Sequence, residues 1–338
     1  MIYAGIDEAG YGPLLGPLCV GCTAFEVPTP AGGDGPGCLW KALAGAVCRS
    51  PADRRRRIAV DDSKRLKGAR DGAAHPLRHL ERGVIPFLAA AHGHAGDWSS
   101  DDALLAALAT PGDQHAPRAA VPWHRDALEL PVGNNAVALR IAVAMLRTAL
   151  SRTGIAVRAV GVRAMEPAEL NALAARIGNK ATINFMLAAE HIERVRTAAA
   201  RAGTWAWIAL DRQGGRTTYL DQLRTSFPDA SLAVLEESDE TARYRLEWRS
   251  TQGQVAHHAV VSFELGGEER NLPVALASMA AKFARELHMR RLNAFFARHV
   301  PDVAPTAGYV MDGRRFLEAV GPTAKRLGIE ESALVRCL

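Results

Sequence analysis

The chain has 338 residues, of which 48% are hydrophobic and 23% are charged. This composition is ordinary for a globular protein, excludes a disordered chain and allows a sizeable buried core. Lys and Arg number 41 against 36 Asp and Glu, so the net charge of +5 permits nucleic-acid binding without requiring it.

The start of the chain lacks a basic segment followed by a long apolar run, so the sequence predicts no secretory signal. The most apolar helical stretch, residues 136–150, contains Arg140 and Arg147 and is too short to span a bilayer. We therefore expect a cytoplasmic protein that does not contact a membrane.

Periodicity and turn signals divide the chain into strands and helices. Predicted strands occupy residues 2–7, 14–27, 155–163 and 205–210, and a β-hairpin is formed by 241–249 and 254–264. Predicted helices occupy residues 134–151, 167–202, 274–299 and 313–327, with weaker helical patches around 78–92 and 101–109. This order predicts an α/β protein with a mixed sheet flanked by helices.

Acidic residues follow two of the predicted strands. Asp7 and Glu8 end the first strand, and Asp211 ends the strand at 205–210. Neighbouring residues of a strand face opposite ways, so Gly10 and Gly12 are needed to let the chain bend if Asp7 and Glu8 serve one site. Carboxylates converging from different strands suit Mg²⁺, which prefers hard oxygen ligands. Taken singly, each acid is equally explained as a solvated strand end.

Two further segments carry polar groups in turns. Glu268 and Glu269 lie before a predicted helix, where the helix dipole alone also favours acids. Asp62, Ser63 and Lys64 lie in a polar turn. One interpretation is a helix N-cap by Asp62 or Ser63, and the other is a phosphate contact by Lys64. The histidines, His124 among them, form no HExxH motif, so the sequence predicts no zinc site.

Taken together, these segments resemble the type 2 ribonuclease H family, which includes bacterial ribonuclease HII. Residues 5–17, GIDEAGYGPLLGP, look like the opening GIDEAGRGPLAGP motif of that family. The further matching segments are DDSKRL at 61–66, residues 166–187, IALD at 208–211, ASMAAK at 277–282 and the Gly308–Tyr309 turn. The segments occur in the order that the family has.

The resemblance implies a ribonuclease H-like fold with a discontinuous catalytic core, 1–70 and 134–285. It also implies an inserted, partly helical region at 71–133 and a C-terminal helical substrate-binding region at 286–338. Its catalytic and metal-binding acids would be Asp7, Glu8, Asp211 and Glu268, the last placed by counting back from the ASMAAK segment, with Glu269 as the fallback.

The activity implied is endonucleolytic hydrolysis of the RNA strand of RNA/DNA hybrids or RNA–DNA junctions by a monomer. Two Mg²⁺ or Mn²⁺ ions would assist it and leave 5′-phosphate and 3′-hydroxyl ends. The resemblance and the positive charges assign substrate contacts to these residues: Gly10, Tyr11, Gly12, Ser63, Lys64, Arg212, Lys282 and Tyr309.

The sequence departs from the family at defined places. Tyr11 replaces the basic residue of the opening motif, and Val-Met-Asp follows Tyr309 in place of the usual threonine and histidine. Insertions at 28–57, 71–133 and 222–262 lengthen the chain. Two alternatives therefore stay open: a nuclease of the same fold that acts on branched or damaged DNA, and a hybrid-binding protein with little catalysis.

Overall fold

The computed structural model describes the chain except for residues 30–34, 69–74, 94–97, 111–120, 251 and 338, and the side chains of 67 and 68. The strands are β1 (Ile2–Ala9), β2 (Leu18–Glu26), β3 (Val47–Cys48), β4 (Ile58–Ala59), β5 (Ala156–Met165), β6 (Ala206–Asp211), β7 (Ser231–Glu237), β8 (Thr241–Arg249) and β9 (Val255–Glu264). The helices are α1 (Leu39–Ala42), α2 (Ser63–Gly68), α3 (Arg78–Ala91), α4 (Asp101–Leu108), α5 (Ala136–Thr153), α6 (Pro167–Ile177), α7 (Lys180–Arg201), α8 (Leu220–Ser226), α9 (Gly267–Arg270), α10 (Leu272–His299), α11 (Val310–Arg326) and α12 (Glu331–Leu334).

Seven of the strands form one mixed sheet in the order β5-β2-β1-β6-β9-β8-β7. β1 is parallel to β6, β6 is parallel to β9, and the other neighbouring pairs are antiparallel. Helices cover both faces, so the predicted fold class, a mixed sheet flanked by helices with a helical C-terminal region, is confirmed.

The sheet register brings the strand ends together. Ile6 of β1 lies beside Leu210 of β6, and Asp211 lies beside Glu264 of β9. Because parallel strands end at the same edge of a sheet, the acids at the ends of β1 and β6 share one edge.

Helix α10 packs on one face of the sheet, over β1, β2 and β5, and α7 packs on the opposite face. The contact with α10 is close enough to exclude side chains: a Cβ on Gly5 would lie 2.1 Å from the Val274 nitrogen, and one on Gly21 would lie 2.3 Å from the Ala277 oxygen. These two glycines therefore let the start of α10 reach the sheet, which fixes where Ser278 lies relative to β1.

Two local predictions were incomplete. The single helix predicted at 167–202 is two helices, because Gly178 has a positive φ of 72° and ends α6 while the Asn179 side chain caps α7. The edge strand β7 was not predicted, because most of its side chains are exposed on both faces and leave no apolar periodicity.

The predicted insertion packs against the core. Helix α3 contacts α10, α5 and β5, and its Pro86 and Phe87 are buried. Residues 71–74, 94–97 and 111–120 of the insertion, and residues 30–34 and 69–70 of the predicted core, lie outside the described residues. Among the helices in the described ranges, none is long and apolar enough to cross a membrane.

Candidate active site

The four acids predicted from the sequence converge at one edge of the sheet. Asp7 and Glu8 come from the end of β1, Asp211 from the end of β6 and Glu268 from the short helix α9. Their negative charges lie close enough to interact: the carboxyl of Asp7 is destabilised by those of Glu8, Glu268 and Asp211. The structure thus brings together residues that are more than 250 positions apart in the chain.

Ser278 of α10 lies among these acids. Hydrogen bonding of its hydroxyl to Asp7 and to Glu268 lowers the pKa of each carboxyl, against the larger effects that raise them. Its oxygen also lies 3.0 Å from the Ser63 hydroxyl oxygen. Since a hydroxyl has one proton, Ser278 donates to one neighbour at a time and links α2, α9 and β1 through a shared hydrogen-bond network.

A backbone N–H and a side chain orient the other two acids, Asp211 and Glu8. The Gly267 backbone N–H donates to Asp211 Oδ1 at 2.8 Å, which orients that carboxylate toward α9. Glu8 hydrogen bonds with the side chain of Asn184, a buried residue of α7. The neighbouring strand-end acid Glu264 differs, because Ser262 and Asn271 hydrogen bond to its two oxygens at 2.9 Å each and hold it as a structural group.

Burial and mutual repulsion raise the pKa values of all four acids. Burial is the larger cause for each: it raises the pKa of Asp7 well above its usual range, and it raises the pKa values of Glu8 and Asp211. Burial and the negative charge of Asp62 raise the pKa of Glu268 to about 7. The positive charge of Lys64 therefore does not offset the burial and repulsion of these acids.

The donor chemistry fits a hard divalent cation. Every candidate ligand is a carboxylate oxygen, and Glu268 Oε2 is buried with no hydrogen-bond partner among the described residues. A cation such as Mg²⁺ or Mn²⁺ would satisfy that oxygen and offset the repulsion between carboxylates, whereas softer metals favour nitrogen and sulfur ligands.

Lys64, one of the residues predicted to contact the substrate, interacts electrostatically with the acids of the site. Partial burial opposes its charged form, but attraction to Glu268, Asp62 and Asp7 outweighs this and raises its pKa. Asp62 accepts a hydrogen bond from the Lys64 backbone at 2.7 Å and so belongs to the same corner of the site.

Two buried arginines, Arg285 and Arg336, contact the loop that follows β1, residues 10–17. Gly10 has φ of 86°, and a Cβ there would lie 2.5 Å from Arg285 Nε. Arg336, near the chain end, donates to the carbonyls of Gly10, Gly16 (2.7 Å) and Pro13 (3.3 Å). Its contacts leave the outer surface of the loop, with Tyr11 and Gly12, exposed.

Tyr11 and Tyr309 are both exposed beside this loop. The Lys180 ammonium nitrogen lies 4.7 Å from the centroid of the Tyr11 ring, so a cation from α7 accompanies the tyrosine that replaces the basic residue of the family motif. Gly308 accepts hydrogen bonds from the Leu14 and Leu15 backbones at 2.7 and 3.1 Å, and these place Tyr309 next to the same loop.

Arg212 and Lys282 have other partners in the structure. The Arg212 side chain donates hydrogen bonds to the backbone oxygens of Arg216, at 2.9 Å, and of Asp239. These bonds stabilise the turn after β6. Lys282 forms an ion pair with Glu286 one turn along α10, at 3.1 Å. Their assignment to substrate binding stays a prediction.

Three polar residues of this site were not predicted from the sequence. Ser278 and Asn184 both lie inside segments that carry the family resemblance, but neither was among the residues assigned to the site. Asp62 was considered only as a helix cap. Their positions in helices or a turn give no local signal, and only the packing of α7 and α10 on the sheet places them beside the acids.

The chain matches no known family profile and no curated protein. It is similar to solved ribonuclease H structures, and the sequence segments resemble the type 2 branch of these enzymes. Ribonuclease HII from Archaeoglobus fulgidus, solved in a complex with PCNA, is 17% identical with a TM-score of 0.38, covering 100% of this chain and 94% of that one.

Ribonuclease H2 from Pyrococcus horikoshii OT3 is 14% identical with a TM-score of 0.41, covering 99% of this chain and 92% of that one. Bst-RNase HIII in complex with Mn²⁺ is 12% identical with a TM-score of 0.41, covering 100% of this chain and 66% of that one. At these identities and TM-scores, none of the three assigns an activity to this chain.

Proposed function

We propose that this chain is a divalent-metal-dependent endonuclease that hydrolyses the RNA strand of RNA/DNA hybrids or RNA–DNA junctions. One observation carries the proposal: Asp7, Glu8, Asp211 and Glu268 converge at one edge of the sheet with raised carboxyl pKa values, beside Lys64. Crowded buried acids destabilise a fold, so a site that keeps them is explained by a cation that they hold.

The four carboxylates would hold Mg²⁺ or Mn²⁺. When bound, such cations would activate a water molecule and stabilise the leaving 3′-oxygen. The products would carry 5′-phosphate and 3′-hydroxyl ends. Ser278 keeps Asp7 and Glu268 in orientation through its hydroxyl, and the Gly267 N–H does the same for Asp211. Lys64 neutralises part of the charge of the acids and attracts the phosphate of the strand to be cut.

The loop after β1 would recognise the duplex. The exposed backbone of Gly12 and the Tyr11 ring face outward, and Lys180 adds a positive charge at that ring. Contacts with the 2′-hydroxyl distinguish RNA from DNA, and the exposed Tyr309 ring offers a surface for a sugar at the junction. The protein would act as a monomer on this substrate.

Parallel cleavage assays test the proposal. The full-length protein is incubated in Mg²⁺ or Mn²⁺ with an RNA/DNA hybrid, a duplex that contains one ribonucleotide and a four-way DNA junction. Asp7→Asn removes a carboxylate of the site, and Glu269→Gln is the matched control, because Glu269 is exposed next to Glu268. Extension of the products by a polymerase reports 3′-hydroxyl ends.

Cleavage of the hybrid or the ribonucleotide-containing duplex that Asp7→Asn abolishes and Glu269→Gln retains supports the proposal. Cleavage of the four-way junction alone would replace it with a nuclease of the same fold for branched DNA. Binding of the hybrid without cleavage in either metal would replace it with a hybrid-binding protein.

A further inference from the structure

A second polar cluster lies apart from the acidic site. It contains His124 from the 3₁₀ turn Pro122–His124, Glu166 directly after β5 and His288 from α10. The His124 Nε2 lies 3.2 Å and the His288 Nδ1 lies 3.1 Å from the same oxygen, Glu166 Oε1. His288 is ten residues beyond Ser278 on one helix, about 15 Å along its axis, so the two sites are separate.

The cluster is buried. The side chains of His124, Glu166 and His288 are 6%, 8% and 2% exposed. Three polar side chains are therefore held out of water, where their nitrogen and oxygen atoms need hydrogen-bond partners or a metal.

The three donor atoms have the spacing of metal ligands. Zinc binds imidazole nitrogen and carboxylate oxygen at about 2.0–2.2 Å, so two ligands of a tetrahedral site lie about 3.3 Å apart. The two distances to Glu166 Oε1 are close to this value, and the three donor atoms lie within 4.8 Å of one another. A small cavity lined by Glu166, His288 and Trp123 adds room for about one water.

The cluster also joins distant parts of the fold. His124 belongs to the predicted insertion at 71–133, Glu166 precedes α6 at the edge of the sheet, and His288 lies on the long core helix. Arg291, one turn after His288, donates to the His124 backbone oxygen at 2.9 Å and so already holds this turn against α10. A metal at the cluster would act as a cross-link between the insertion and the core.

We propose that His124, Glu166 and His288 bind one structural Zn²⁺, with a water as the fourth ligand. Each imidazole would present a nitrogen lone pair to the metal, so the proton that it shares with Glu166 moves to the other ring nitrogen or, from an imidazolium, to solvent. The ligands come from three segments without a local motif, which is why the spacing of the histidines did not indicate the site. The proposal does not depend on the nuclease activity.

Zinc binding to the full-length protein tests this inference. Protein stripped of metal with EDTA is dialysed against micromolar Zn²⁺, and bound zinc is counted by mass spectrometry in four forms: wild type, Asp7→Asn, His288→Gln and His299→Gln. Asp7→Asn removes a ligand of the acidic site, and His299→Gln is a matched control on the same helix. Thermal unfolding checks that each variant is folded.

We expect one tightly held zinc in wild type, Asp7→Asn and His299→Gln, and its loss in His288→Gln. In the wild-type protein alone, zinc X-ray absorption should show two imidazole ligands, which keeps the test independent of whether His288→Gln folds. Absence of retained zinc in wild type, or equal zinc in folded His288→Gln, would overturn the proposal and leave a cluster joined by hydrogen bonds alone.

Discussion

The hydroxyl oxygens of Ser63 and Ser278 lie 3.0 Å apart although the residues are 215 positions apart in the chain. Ser63 begins α2 and Ser278 lies in the second turn of α10, so this contact ties the turn that carries Lys64 to the helix that contacts Asp7. The two hydroxyls and the carboxyls of Asp7 and Glu268 therefore form one hydrogen-bonded unit, and the charge of Lys64 interacts with it. A change in either hydroxyl should therefore alter these two carboxylates.

Ser278→Ala should reduce activity without unfolding the protein. It removes the hydrogen bonds that orient Asp7 and Glu268, and loss of a partner of a metal ligand typically costs about 10–100-fold in metal affinity or activity. We expect the Mg²⁺ concentration for half-maximal cleavage to rise by roughly ten-fold or more. Ser262→Ala, which loses a hydrogen bond to the structural Glu264, is the control. An unchanged Mg²⁺ requirement in Ser278→Ala would show that its hydroxyl only packs the helix.

Glu268 rather than Glu269 should be the fourth metal ligand. Glu268 is half-buried and interacts electrostatically with Asp7, whereas Glu269 is exposed. A ligand that binds only the folded state raises the melting temperature, so Mg²⁺ or Mn²⁺ should stabilise wild type and Glu269→Gln but have little effect on Glu268→Gln. Thermal unfolding with EDTA or with millimolar metal measures this. The reverse pattern would move the role to Glu269.

Lys180 should contribute to binding of the hybrid through the Tyr11 loop. Its ammonium group lies over the Tyr11 ring, and burial followed by repulsion from Arg336 lowers its pKa. Lys180→Ala should weaken hybrid binding and reduce the salt dependence of binding by about one phosphate contact, while Lys180→Arg should keep both. Fluorescence anisotropy at several salt concentrations measures the slope.

Lys325→Ala is the control for Lys180, because Lys325 lies in the last turn of α11, about 24 Å along that helix from Tyr309. If both lysine-to-alanine changes lowered the slope equally, a general charge effect and not the Tyr11 loop would explain the result.

The parts of the site that the sequence predicted are those with a local signal. Asp7 and Asp211 end apolar runs of strand length, and glycines follow each, so strand and turn propensities alone indicate acids at a sheet edge. The sequence also contains a signal that the predicted helix at 167–202 is two helices, because Gly178 ends one helix and Asn179 caps the next.

The remaining features depend on contacts between segments. Ser278 contacts the acids only because Gly5 and Gly21 let α10 lie directly on the sheet. The pattern of apolar residues along α10 does not indicate that contact. The pairing of His124 with His288 likewise depends on how the insertion packs. Such relationships are set by tertiary packing, which spacing in one sequence does not encode.

Buried His191 should make the protein less stable in mild acid. Burial, followed by repulsion from Arg194, lowers the pKa of this residue of α7 to about 3, and its ring nitrogen Nε2 lies 3.1 Å from the Val20 oxygen. The unfolded chain binds the proton near pH 6.5, so acid favours unfolding as the pH falls below 6.5, and this effect stops growing below about pH 3. At pH 5.5 the loss relative to pH 8 is about 1.4 kcal/mol for this group.

His191→Gln isolates that effect, because the glutamine amide also donates to a carbonyl but does not titrate. Urea unfolding of both proteins from pH 8 to pH 5 should give a stability difference that shifts in favour of the variant as the pH falls. A difference that stays constant with pH would show that His191 is protonated in the folded protein as easily as in the unfolded chain.

The buried ion pair between Arg291 and Asp101 should hold the predicted insertion on the core. Arg291 Nε lies 2.6 Å from Asp101 Oδ2, the Leu128 backbone donates to Oδ1 at 2.7 Å, and both side chains are almost fully buried. In Asp101→Ala the buried Arg291 would keep only Asp102, which is largely exposed, as a charged partner. Loss of one partner of a buried pair is strongly destabilising, so this variant should lower the free energy of unfolding by about 3 kcal/mol.

The pair formed by Arg298 and Asp126 is the matched comparison, because it also joins α10 to the insertion but is exposed. Solvent screens an exposed pair, so Asp126→Ala should cost less than about 1 kcal/mol. Urea unfolding measures both variants. Equal costs would mean that apolar packing of α3 on α10, and not the Arg291–Asp101 pair, attaches the insertion to the core.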